Sequence, residues 1–136
     1  VNSTKAKRWL EAAETFIREA TRVASESAPP TRIEYPMNNA ENAAVYVGGI
    51  LDLQRAGVGV LTHTNGTQYI GEWMSDKKHG MGVETYPNDS VYKGQFASGM
   101  RHGWGEYNDA STGRCYRGSW AHGARHGRGW ERAVLK

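Results

Sequence analysis

One cysteine, four prolines and two phenylalanines in 136 residues limit what this chain can build. Cys115 has no partner for an internal disulfide, so the fold is expected to need no covalent staple and to suit a reducing compartment. No apolar run approaches the roughly 18–20 residues that span a bilayer, and the first residues lack the apolar core of a signal peptide, which together predict a soluble chain. Glycine is missing from residues 1–44, although the chain has 17 glycines; all lie between Gly48 and Gly129. Three of the prolines, Pro29, Pro30 and Pro36, fall in the glycine-free part. Such asymmetry excludes a uniformly mixed α/β domain and divides the chain into an amphipathic helix (1–28), a linker (29–44) and a glycine-rich body (45–136).

Charge divides along the chain too. Residues 1–91 hold 9 Lys/Arg against 11 Asp/Glu, and residues 92–136 hold 8 against 3, so −2 and +5 sum to the net +3. An excess of five is small beside the dense basic stripes of nucleic-acid-binding domains, and no nucleic-acid partner is expected.

From Ser3 to Ser27 apolar residues recur at i, i+3, i+4 and i+7, and this spacing predicts an amphipathic helix. Ser3 or Thr4 can cap it, and Pro29–Pro30 end it. Its docking face is Trp9, Leu10, Ala13, Phe16, Ile17 and Ala20. At roughly 1.5–3 kcal/mol for each large side chain buried, that face needs a covering surface, on this chain or another. Glu11, Glu14, Glu19 and Glu26 argue against a membrane-surface helix. Residues 31–44 show neither helical nor strand period and read as linker.

Beyond the linker, self-similarity dominates. Counting from Tyr69, glycine stands at +2, an aromatic at +4, a cation at +9, histidine at +10 and glycine at +11 and +13: Gly71, Trp73, Lys78, His79, Gly80 and Gly82. Tyr92 opens the same series (Gly94, Phe96, Arg101, His102, Gly103, Gly105), and so does Tyr116 (Gly118, Trp120, Arg125, His126, Gly127, Gly129). A degenerate first copy starts at Tyr46, with Gly48, Arg55, Gly57 and Gly59 in place but Ile50 and Ala56 where an aromatic and histidine belong. Each unit reads as a β-hairpin: Tyr, Gly and Trp alternate along one strand, a five- or six-residue connection follows, and the +11 and +13 glycines begin the return strand. Strand glycines are costly unless something approaches their backbone. Here a ring is expected to cover each one, giving an elongated, single-layer antiparallel sheet of about four stacked hairpins, mainly β with an N-terminal α-helix.

The runs "YIGEWMSDKKHGMGVETYPND", "YKGQFASGMRHGWGEYND" and "YRGSWAHGARHGRGW" resemble MORN repeats (membrane occupation and recognition nexus) over about residues 45–132. The resemblance implies stacked hairpins in a twisted single-layer sheet and a role in assembly or tethering, as in junctophilins, ciliary radial-spoke heads, protozoan scaffolds and plant lipid kinases. The compartments it implies are the cytoplasm, cytoskeleton or cilium, with an organelle, after removal of an upstream targeting segment, as the alternative.

Catalytic motifs are missing. The G-x-G pairs never extend to a dinucleotide or phosphate-binding loop, and no H-E-x-x-H, G-x-S-x-G or paired-carboxylate pattern occurs. His79, His102 and His126 recur once per hairpin, so neighbours stand about 9–10 Å apart, too far to share a zinc ion. No enzyme activity and no cofactor or metal are expected. The row Lys78, Arg101, Arg125 is the one surface feature with a functional shape, an anion or partner contact. The expected function is a non-enzymatic scaffold whose sheet and helix mediate protein–protein assembly, with a homodimer among the candidate arrangements. Two alternatives stand beside it: a tether binding anionic lipid through the cationic row, and the regulatory part of a larger enzyme.

Overall fold

The computed structural model describes residues 31–35 and 43–133, together with the exposed positions Thr15, Arg18 and Arg22. Apart from those three positions the helix expected across residues 3–27 lies outside the described residues, as does its whole docking face of Trp9, Leu10, Ala13, Phe16, Ile17 and Ala20.

Nine strands follow one another in chain order: β1 (Thr31–Tyr35), β2 (Ala44–Leu51), β3 (Gln54–His63), β4 (Gln68–Met74), β5 (Lys77–Thr85), β6 (Val91–Ala97), β7 (Met100–Asp109), β8 (Arg114–Ala121) and β9 (Ala124–Ala133). They form one open sheet in that same order, every neighbour antiparallel. The four repeats are the hairpins β2–β3, β4–β5, β6–β7 and β8–β9. β1 corrects the linker expectation. Thr31, Ile33 and Tyr35 alternate with Arg32 and Glu34, a strand period too short to stand out beside the glycine-bearing repeats, and Ile33 pairs with Tyr46 and packs on the core.

A single register runs through the eight repeat strands. Gly48, Gly59, Gly71, Gly82, Gly94, Gly105, Gly118 and Gly129 are consecutive cross-strand partners, so the +2 and +13 glycines form one unbroken row across the sheet. The tyrosine that opens each hairpin lies across this row. A Cβ on Gly82 would stand 2.5 Å from the Tyr69 ring, and one on Gly94 2.6 Å from the Tyr92 hydroxyl. Glycine is the only residue that leaves room for these rings, and each ring restores the contacts that a side chain would have made.

Two local features depart from the expected hairpin. The connection is two residues, not five or six: Asp52–Leu53, Ser75–Asp76, Ser98–Gly99 and His122–Gly123 all have positive φ at both positions. That conformation is the tight turn whose twist matches the flanking strands. The +11 glycines also have another task. Gly80 (φ 70°) and its counterparts sit in a bulge, where the step from Gly71 to Trp73 faces the longer step from Gly82 to Lys78. Such a bulge needs a left-handed residue and bends the strand. The polar residue at +3 secures it: Glu72 Oε2 accepts the Met81 N–H at 2.6 Å, and Gln95 Oε1 the Trp104 N–H at 2.7 Å.

Candidate functional site

Strand alternation gives the sheet two chemically distinct faces. The first carries Tyr46, Tyr69, Tyr92 and Tyr116, which are 0–7% exposed, with Trp73, Phe96 and Trp120 between them at 4–5%. Each tyrosine hydroxyl donates to the backbone carbonyl three residues on: Gly49, Glu72 and Gln95 at 2.8 Å, and Ser119 at 3.1 Å. The buried phenols therefore have partners, and the rings meet edge to face at centroid separations of 5.1–5.4 Å along the series. This geometry is the favourable one for aromatic quadrupoles. Among the described residues the face is thus a layer one side chain thick, consistent with a core in which tyrosine and glycine replace a second sheet.

The row Lys78, Arg101, Arg125 lies on this face, each cation directly across the hairpin from the +4 aromatic: Trp73, Phe96 and Trp120. Arg55 begins the same row one hairpin earlier. It stands 4.3 Å from the Trp73 ring and 2.6 Å from the Asp76 carboxylate, which that contact holds below its usual pKa. The +9 offset marked Arg55 in the sequence, yet the weakness of the first copy hid its role. Lys78 pairs with Glu84 and lies over Tyr69. Arg101 has its guanidinium 4.8–5.2 Å from four rings, Tyr86, Tyr92, Tyr107 and Trp120, and donates to the Tyr86 hydroxyl. Tyr86 in turn donates to Glu84, so two hairpins share one polar chain, Arg101–Tyr86–Glu84–Lys78. Arg125 is the most open of the row, over Tyr116 at 4.5 Å and 3.4 Å from Glu131. These cations form the rim of the aromatic layer, each with a ring and an acid or phenol as partner, rather than a row standing free in solvent.

Burial pushes the phenol of Tyr69 well above the ordinary tyrosine value, with the Glu72 and Glu84 charges adding to it. Burial likewise raises Tyr92, against an opposing pull from Arg101. His63 is lowered, chiefly by burial and then by the charge of Lys78.

The second face changes character along its length. One registered row reads Arg32, Val47, Val60, Ile70, Val83, Lys93, Glu106, Arg117, Trp130 from β1 to β9. From Val47 to Val83 it is aliphatic and half-buried, and the Lys93, Glu106 and Arg117 that follow are charged. Cys115 is buried there beside Glu106, with Sγ 3.6 Å from Oε1, and Glu106 also meets Arg117 Nε at 2.9 Å. Burial and the Glu106 charge raise the thiol pKa, so Cys115 is a weak nucleophile. Among the described residues no group of three or more His, Cys, Asp or Glu could hold a metal ion. His79 is half-buried and His102 and His126 are exposed; the His102 ring meets that of His122 at 6.4 Å. Large apolar side chains stand exposed at the hairpin tips: Leu51, Leu53, Met74 and Met100.

A row of hairpins that share one glycine line and one tyrosine layer defines a repeat protein, in which each unit is completed by its neighbours. The MORN repeat family model matches residues 69–91, 92–113 and 116–133, so the second, third and fourth hairpins are MORN repeats. The first hairpin lies outside those matches, although Tyr46, Gly48 and Gly59 hold the same register and make the same contacts. A search of curated proteins returns no match to the chain.

Proposed function

We propose that the protein is a non-enzymatic scaffold whose MORN sheet, with its amphipathic N-terminal segment, joins a larger protein assembly in the cytoplasm, cytoskeleton or cilium. One observation carries this reading: among the described residues β9 is paired on one side only, and all its residues but Trp130 are exposed. The outer edge of a strand offers a row of backbone donors and acceptors, which a partner strand can complete. The exposed Leu51, Leu53, Met74 and Met100 add apolar contact along the tips of the first three hairpins. The partner is a protein, or a second copy of this chain meeting edge to edge.

A tether to anionic lipid draws less support, because Lys78, Arg101 and Arg125 already face rings, carboxylates or a phenol. Light scattering on the purified protein, with and without partners isolated from its source, tests the assembly reading. A dimer or a stoichiometric heteromer is expected, and a monomer that acquires no partner contradicts it.

A further inference from the structure

We propose that residues 3–27 fold back on their own chain and cover the aliphatic half of the second face, the row Val47–Val60–Ile70–Val83. This inference assigns the segment's apolar face to the chain's own sheet, so that the β9 edge and the hairpin tips carry the assembly reading.

The four side chains are consecutive cross-strand partners from β2 to β5, half-buried, and among the described elements contacts run between neighbouring strands with no second layer over the row. A sheet face of Val and Ile without a covering layer is a surface that water disfavours. On the other face the rings pack edge to face on one another and the cations lie over them, so its apolar surface already has partners within the sheet.

Among occupants, the chain's own N-terminal segment fits by pattern, place and length. Its stripe of Ala6, Ala13, Ala20 and Ala24 beside Leu10, Phe16 and Ile17 is apolar on one side and charged on the other. Place follows from β1: Thr31 pairs with Gly48, and the next residue, Arg32, pairs with Val47 at the start of the row. A segment ending at Ser27 is therefore tethered within four residues, at most about 13 Å, of the surface it would cover. An open groove of about 380 Å³ lies there, lined by Arg32, Val45, Val47, Val60, Thr62 and His63 among others. As for length, the row from β2 to β5 spans three strand spacings, about 14 Å, and the stretch from Ser27 back to Phe16 extends about 16 Å as a helix, so Phe16 and Ile17 reach β4 and β5 without strain. The change from aliphatic to charged after Val83 marks where cover ceases to be needed.

Cysteine crosslinking in the full chain tests this. In a Cys115→Ser background, Phe16→Cys is combined with Ile70→Cys, with Val83→Cys, or with Ile50→Cys on the tyrosine face, and each is treated with a short flexible bismaleimide. The expected result is an intramolecular link for the Ile70 or Val83 pair, formed about tenfold or more faster than for the Ile50 pair, as a docked segment raises the local concentration. Equal rates, a preference for Ile50, links only between copies, or no link in any pair would each overturn the proposal. Far-ultraviolet circular dichroism on each variant confirms that the sheet is intact before rates are compared.

Discussion

Replacing Gly82 by alanine sets a methyl carbon 2.5 Å from the Tyr69 ring, in a layer with no slack on either side. The ring cannot retreat without breaking its hydrogen bond to the Glu72 carbonyl and its edge contacts with Trp73 and Phe96. We expect Gly82→Ala to cost about 2–3 kcal/mol in urea denaturation. Gly57→Ala, at φ 71° but with nothing within 4 Å, should cost about 1 kcal/mol, from backbone strain alone. The tyrosines also make the fold sensitive to alkali. Tyr69 and Tyr92 have folded-state pKa values raised above the unfolded value of about 10. Below that pH both states keep the proton; above it the unfolded chain alone releases it, and the fold loses stability as pH rises. Phenolate absorbance and near-ultraviolet circular dichroism should therefore change together above pH about 10, whereas a fold untouched by tyrosine ionisation would titrate without unfolding.

At the level of the hairpin, the cation at +9 ties one repeat to the next. Arg101 touches Tyr86 and Tyr92 on one side and Tyr107 and Trp120 on the other, so it contacts strands from three hairpins. Arg101→Met is expected to lose about 2 kcal/mol of stability, and Arg125→Met, on the open last hairpin, less than about 1 kcal/mol. Thermal unfolding of the two variants measures the difference, and equal losses would show that ring stacking is not what Arg101 supplies. The hairpins themselves were legible from the sequence because the repeat fixes residue types at constant offsets. The offsets place Tyr69, Gly71 and Trp73 on one face of a strand and Gly82 on the return strand, whereas the pairing of Gly71 with Gly82 emerges only from the register of the sheet. The turns were misjudged, since Ser75–Asp76 lacks the Asn-Gly signature of a tight turn and the bulge at Gly80 adds residues that look like loop. β1 was missed because TRIEY has the strand period for only five residues and none of the repeat's glycines. The partners of Lys78 and Arg101 could not be read at all: Glu84 and Tyr86 sit at +15 and +17, positions that vary from hairpin to hairpin.

Across the whole molecule, each hairpin is buried by its neighbours, and the two end strands have a described neighbour on one side only. β1 covers half of this problem, pairing with β2 from Ala44 to Gly48 and leaving Gly49 to Leu51 beyond its reach. β9 has no such cover among the described residues. A membrane role would appear as salt-sensitive flotation with vesicles containing phosphatidylserine. The assembly account expects none, and binding abolished by Arg128→Glu with Arg132→Glu, two exposed positions, would support the tether instead. The most direct test of the central claim is the mass of the protein as isolated under native conditions from its source, by size exclusion with light scattering. A species heavier than a single copy of the chain, with a fixed stoichiometry, is the predicted result. A monomer with no stoichiometric partner at any concentration tested would contradict it.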